Sequence, residues 1–402
     1  MHTWYEQAVF YHIYPLGLLG AEKTNTLTKT VHRLRDLEAW IPHIRALNGS
    51  AIYIGPLFES STHGYDTRDF RLVDRRLGTN EDFAHFVQLC HENGIRVVVD
   101  GVFNHTGREF FAFQDIREKR EASPYKDWYR GVNFGWGSPL GDPFGYEAWQ
   151  GHFELPCLNL WNPDVRQYLF DSIRFWVDNF DIDGIRLDCA NVLDFGFMKE
   201  LREKTSAMKP DFWLMGEVIH GDYARWVNDE TLHSVTNYEL WMGLYSGHND
   251  HNYFEIAHTI RRQFDANGGI YKGCRLYSFV ENHDVDRIVN KLKEKGFLQS
   301  VYTLLYTLPG ITSVYYGGVW GVEGRKEGAC DDGLRPHLVL SEMEANPPIP
   351  ELKGLLCKLG AIRQANLALT DGVYRELLLT NRQYAFARIL GNEAVTTAVN
   401  ND

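Results

Sequence analysis

Short β-rich apolar runs alternate with helical stretches along most of this chain, and that rhythm leaves few folds open. Ala8–Tyr14 (AVFYHIY), Ala51–Ile54 and Ile95–Asp100 (IRVVVD) read as strands. The third is nearly all apolar, as a strand buried on both faces should be. Val31–Leu47 carries Leu34, Leu37, Ile41, Ile44 and Leu47 at helical spacing, despite Pro42. Asn80–Asn93 reads as a second helix, with Asn80 as its cap and Gly94 as its stop. Further strands are expected at Gly184–Asp188, Phe212–Glu217, Ser234–Asn237, Leu276–Glu281 and Ile311–Tyr315. Helices are expected at Asp164–Phe180, Phe195–Met208 and Leu352–Ala365. Strands alternating with helices at this pace imply right-handed βαβ units, and eight of them predict an α/β chain folded as a (β/α)8 TIM barrel. A doubly wound open sheet is the alternative, but no GxGxxG follows an early strand.

The rhythm breaks between residues 104 and 162, where Gly, Pro, Trp and Tyr are dense and no long helical pattern shows. This stretch reads as a loop-rich insertion after the third strand. The expected organisation is a barrel from 1–103 and 163–368, an inserted domain at 104–162, and a β segment at 369–402. In that last segment Tyr374–Leu379 and Tyr384–Ile389 look like a hairpin followed by Ala394–Val399, too few strands to close a sandwich.

A net charge of −12 argues against nucleic acid or an anionic membrane as partner. No apolar run is long enough to span a bilayer, and no basic-then-apolar leader precedes the first strand, so a cytoplasmic protein is expected. The six cysteines lack CxxC spacing and read as reduced thiols. The oligomeric state is left open. Aromatic residues make up 14% of the chain, and Trp128, Tyr129, Trp136, Trp149 and Trp161 fall in the insertion. They suit either sugar stacking or the core of a subdomain poor in aliphatics.

Barrel catalysis sits at the carboxyl ends of the strands. The acids expected there are Asp100, Asp188, Glu217 and Asp284. Positions 188 and 217 are one βα unit apart, and 217 and 284 about two, so these groups should share one rim. Arg186 and Asp188 alternate onto one face of their strand, and the guanidinium should lower the Asp188 pKa, as a nucleophile needs. Glu217 follows the apolar Trp213-Leu214-Met215-Gly216, which should raise its pKa, as a general acid needs. Two carboxyls pulled apart in this way are the pattern of glycoside hydrolysis. His105 and His283 lie beside the same rim and could donate hydrogen bonds to sugar hydroxyls.

Four motifs in order carry a resemblance: Asp100-Gly-Val-Phe-Asn104-His105, Gly184-Ile-Arg186-Leu-Asp188, Gly216-Glu217-Val and Glu281-Asn-His283-Asp284. With Tyr65-Asp66 and Tyr315-Tyr316-Gly317 in support, the chain resembles the α-amylase superfamily, glycoside hydrolase family thirteen, over nearly its whole length. The resemblance implies a retaining α-glucan hydrolase cleaving α-1,4 bonds of maltodextrins, starch-derived oligosaccharides or cyclodextrins, with α-1,6 bonds left open. It makes Asp188 the nucleophile, Glu217 the general acid/base and Asp284 the group that holds and distorts the sugar. Arg186 would orient Asp188, and His105, His283 and Tyr65 would line the subsite, with Tyr65 stacking on the ring. Asp100 and Asn104 would orient this network rather than react.

Behind the nucleophile stand Cys189-Ala190-Asn191-Val192 where many α-amylases have a Lys-His pair, and the acid is followed by Val-Ile-His220. Both features resemble the neopullulanase and cyclomaltodextrinase group, whose N-terminal β domain is not matched here. Asn191 and His220 are substrate-binding candidates on that basis. No metal or other cofactor is expected; a structural calcium remains open, with Asn104 as a remnant ligand. Arg335, with Asp331 and Asp332 in the loop after the last strand, is a candidate for holding the substrate's non-reducing end. A transglycosylase or isomerase on the same scaffold is the alternative. A catalytically inactive binding protein is disfavoured by the intact Asp188, Glu217 and Asp284.

Overall fold

In this computed structural model, which describes residues 3–26, 28–328 and 330–402, strand residues alternate between two apolar layers. Phe10, Ala51, Tyr53, Val98, Met215 and Tyr277 face one enclosed core. Ile13, Ile52, Val97, Val99, Ile185, Leu187 and Leu214 face a second, larger one shared with the helices. A period of two with both faces buried is what a parallel strand ringed by helices requires.

The strands are β1 (Val9–Ile13), β2 (Ala51–Ile54), β3 (Arg96–Gly101), β4 (Gly184–Leu187), β5 (Trp213–Gly216), β6 (Ser234–Val235), β7 (Tyr277–Ser278) and β8 (Ile311–Tyr315). They form one parallel sheet in the order β6-β5-β4-β3-β2-β1-β8-β7. A single parallel bridge between Thr236 and Tyr277 closes the ring, with Asn237 donating its N–H to the Tyr277 carbonyl at 2.8 Å. This is the (β/α)8 barrel, followed by a C-terminal antiparallel sheet of β9 (Val373–Leu379), β10 (Gln383–Leu390) and β11 (Glu393–Asn400). No helix of the described residues is long and apolar enough to cross a membrane. All six cysteines are free, and only Cys330 is exposed.

Several sequence expectations need correction. Val31–Leu47 is not one helix but a 3-10 turn over Arg33–Ala39 running into an α-helix over Trp40–Ala46. Pro42 lacks the N–H that an α-helix interior would need, and it is accommodated in the first turn of the second piece. Asn80 does not cap its helix. Thr79 does, in a reciprocal box with Asp82, while Asn80 bonds back to Val73 and Arg71. The seventh strand pairs only over Tyr277–Ser278, because β6 offers just two residues and a bridge beside it. Two helices unnamed in the sequence reading, Tyr238–Asn249 and Tyr253–Phe264, fill the gap before β7. The 104–162 stretch is not wholly without helix: Phe111–Lys119 buries Ala112, Phe113 and Ile116. It also holds a small hairpin, Ala148–Trp149 with His152–Pro156.

Candidate active site

Strand parity builds the site. The inward positions Val98, Arg186 and Met215 are followed, two residues on, by Asp100, Asp188 and Glu217. Asp100 pairs with Arg186 across β3 and β4, and Arg186 with Met215 across β4 and β5. The inward row therefore changes from apolar to charged at the carboxyl end of the barrel.

Arg186, 3% exposed, is shared by three acids. Nη1 donates to Asp100 at 2.8 Å and to Asp188 at 2.9 Å, and Nη2 lies 2.9 Å from Glu217. Asp100 also accepts from the hydroxyls of Tyr53 (2.9 Å) and Tyr65 (3.1 Å). Glu217 accepts the Cys189 backbone N–H at 3.1 Å. That N–H is presented by a left-handed backbone at Cys189, φ 49°, uncommon for a residue with a side chain.

One cation among several buried carboxyls cannot keep them all ionised. Burial, opposed by Arg186 and reinforced by Asp188 and Asp284, pushes Glu217 up to about 8. Burial likewise lifts Asp100 to about 6 against the pull of Arg186. The expected lowering of Asp188 does not hold: Arg186 does pull it down, but burial outweighs the pull and the carboxyl sits above its ordinary value. Glu217 is the carboxyl that is raised above neutrality.

The opposite wall comes from the loops after β7, β8, β1 and β2. The His283 ring lies between Tyr65 (centroids 5.8 Å, 14°) and Tyr14 (5.8 Å, 25°). Its Nε2 meets the Tyr65 hydroxyl and lies 3.1 Å from Asp284. Burial, with Arg335 and Arg186 nearby, drives His283 well below the usual imidazole value, so it is neutral. Arg335 donates to Asp284 (3.0 Å), to Asp331 (3.1 Å) and to the His283 carbonyl (3.0 Å), its guanidinium 4.6 Å from the centroid of the Tyr14 ring. Asp332 is more than half exposed and pairs with Lys23 instead. His105 is buried and pushed down to about 3 by that burial; Asn104 contacts its Nδ1 at 3.2 Å.

The structure thus brings together Asp100, Arg186, Asp188 and Glu217 on one side, and Tyr65, His283, Asp284 and Arg335 on the other. The Tyr65 hydroxyl joins the two through Asp100. Asn191 and His220 are exposed on the loops after β4 and β5. Tyr14, Tyr53 and Asn282 join the site with no role announced by the sequence motifs. Tyr53 was detectable as the one hydroxyl in an otherwise aliphatic inward strand. Asn282 lies inside the ENHD motif, and its side chain receives the N–H groups of Asp284 and Val285 at 2.8 and 3.1 Å, fixing the turn that presents Asp284.

Among the described residues, one group of metal-ligand types converges: a ligand atom each from Asp188, Cys189 and Glu217 lies within 4.8 Å of the others. These residues fit a hard cation poorly. Arg186 already occupies both carboxylates, and burial beside those acids pushes the Cys189 thiol far up. Asn104 directs its amide nitrogen at His105 and Cys157.

Acidic groups gathered at this end of a (β/α)8 barrel define a catalytic face. Residues 25–347 match the family model for the alpha-amylase catalytic domain, and the chain belongs to that family. It is 32% identical over 353 residues to a maltogenic alpha-amylase of Bacillus acidopullulyticus, covering 81% of this chain and 58% of that protein. It is 29% identical to neopullulanase 2 of Thermoactinomyces vulgaris, covering 99% of this chain and 70% of the relative. Among solved structures, it is similar to the cyclic α-maltosyl-(1→6)-maltose hydrolase of Arthrobacter globiformis (TM-score 0.85, 26% identity, 99% of this chain and 92% of that one). The chain spans about three fifths of the length of some of its curated relatives.

Proposed function

We propose that this chain is a retaining α-glucan hydrolase acting on maltodextrin-type substrates without a cofactor. The observation that carries this reading is the approach of Asp188 and Glu217, whose carboxylate oxygens come within 4.8 Å. Retaining enzymes hold their two carboxyls about 5–5.5 Å apart, whereas inverting ones leave about 6.5–9.5 Å for a water.

Glu217, protonated at neutral pH, gives its proton to the glycosidic oxygen as Asp188 attacks the anomeric carbon. A glycosyl ester forms on Asp188, and the leaving chain departs with that proton. Glu217, now a carboxylate, takes a proton from water, which attacks the same carbon and frees Asp188 with the anomeric configuration retained. Arg186 aims Asp188 and offsets charge on both acids as it moves between them. Asp284, braced by Arg335 and Asn282, faces the sugar from the other wall. Tyr65 supplies a ring for it to lie on, and the neutral His105 and His283 line the wall beside that ring. Maltose-based and α-1,6-linked names among the relatives support α-1,4 cleavage with α-1,6 bonds also accepted. A sugar hydroxyl in place of water would make the same intermediate serve transglycosylation.

The test is turnover and product analysis on maltotriose, pullulan, starch and β-cyclodextrin. Asp188→Asn and Glu217→Gln should each lower turnover by about 10³-fold or more, in keeping with the loss of a nucleophile or a general acid. Near wild-type rates in either variant would end this reading, and products longer than the substrate would move it to transfer.

A further inference from the structure

Trp161 is 80% exposed, the highest value among the large apolar side chains described. Scattered surface aromatics are ordinary, but this one is held rigid. Its indole Nε1 donates to Asp194 Oδ2 at 3.0 Å, and its backbone N–H to Asn159 Oδ1 at 3.2 Å. Asp194 is itself fixed: Oδ1 receives Arg166 Nη2 at 2.6 Å and the Phe197 N–H at 2.8 Å as the cap of the helix Phe195–Met208. A flat ring is therefore presented to water with its polar edge already satisfied.

Its position matters more. Trp161 ends the connection between β3 and the helix before β4. The loop after β4 exposes Val192 (48%), and the loop after β5 exposes Ile219 (44%). Those three strands are adjacent in the barrel and carry Asp100, Asp188 and Glu217. Asp194 is six residues past Asp188, so it lies at most about 22 Å from it along the chain. Leu158, just before the Asn159 that holds Trp161, donates its N–H to the Asn104 carbonyl at 2.9 Å, beside His105. Trp128 and Tyr129 are buried in the insertion and are not available for such a role.

We propose that Trp161, with Val192 and Ile219, forms a platform on which an α-glucan lays the apolar faces of glucose units lying beyond the bond being cleaved. It deepens the α-glucan reading above and rests on it. An aromatic face offers sugar C–H groups a large contact at little entropic cost when the ring is already fixed.

The test compares kcat/KM on maltotriose and maltoheptaose for the intact protein, Trp161→Ala and Trp161→Phe, each checked by thermal melting. The alanine variant should lose about tenfold on maltoheptaose through KM, equivalent to about 1.4 kcal/mol, and much less on maltotriose. Phenylalanine should restore most of the loss. Equal losses at both lengths, or none at either, would overturn the platform. So would dissociation of an oligomer by Trp161→Ala without a length effect, which would assign the face to a second copy. If the wild-type protein turns over no maltooligosaccharide, the activity reading fails. Calorimetric titration with maltoheptaose then judges the platform alone: weaker binding by Trp161→Ala supports it, and equal binding overturns it.

Discussion

Two of the places where this molecule buries arginine use it in opposite ways. At the carboxyl end of the barrel, Arg186 faces Asp100, Asp188 and Glu217, so acids outnumber the cation. Where the barrel meets the C-terminal sheet, Arg363 and Arg388 bond to backbone carbonyls. Arg363 reaches Tyr306 and Gly310, and Arg388 reaches Thr307, Gly372 and Thr370. Carbonyls at the end of the helix Phe297–Thr307 carry partial negative charge and satisfy guanidinium donors without titrating. The joint is held by groups whose charge does not change with pH near neutrality. The rim is held by groups that share one cation, and burial pushes Glu217 up to about 8 against the pull of that cation.

The largest effect is expected where that competition is removed. Arg186→Ala leaves buried carboxylates unpaired, at a cost of about 3–5 kcal/mol by thermal or denaturant unfolding, and should also abolish turnover. If instead the variant is as stable as the parent, the acids are not ionised as described. Arg388→Ala should cost about 1–3 kcal/mol, as carbonyls lose their donors, while the folded fraction keeps its turnover. A loss of activity per folded molecule would show the joint to be coupled to the rim.

The pH response separates the two regions further. Glu217 titrates at about 8 when folded, above its ordinary 4.5. Activity requiring its proton should fall about tenfold per pH unit above about 8. Folding stability follows the same sign: the benefit of the raised pKa is complete below about 4.5 and is lost as pH rises through about 8. Glu217→Gln should remove that part of the stability slope, as read by melts between pH 4 and 9; an unchanged slope would place it on another group. Smallest of all, Tyr53→Phe removes one hydroxyl from Asp100, worth about 1 kcal/mol in unfolding; no shift would mean that Arg186 and Tyr65 satisfy that acid without it.

Much of the barrel and the acidic rim was legible from residue spacing, because a period of two carries each strand's inward row on to its terminal acid. Asp100 and Glu217 are the next inward positions after the core residues Val98 and Met215, and Asp188 after Arg186, and that can be counted. The sharing of Arg186 by three acids cannot be counted, since it depends on strand neighbours that only closure brings together. The Asp188 pKa follows the same division: Arg186 two residues away is visible in the sequence, and the burial that outweighs it is not. Arg335 lies 51 residues after Asp284, and Tyr14 lies at the other end of the chain; their meeting around His283 is a product of the ring. Asn80 lost the cap to Thr79 because neighbouring residues of similar propensity are decided by the helix's entry path.

The ring is unequally knit. Seven of its eight seams are ladders, while β6 and β7 meet through the single bridge between Thr236 and Tyr277. The barrel is in this sense a split collar, with Glu217 near one lip and Asp284 beyond the other. Asp188 and Glu217 follow neighbouring, continuously laddered strands, so their spacing is set without crossing that seam. The gap from that pair to Asp284 is spanned across the single bridge. The spacing of the two acids and their distance to Asp284 are thereby set by different parts of one cylinder.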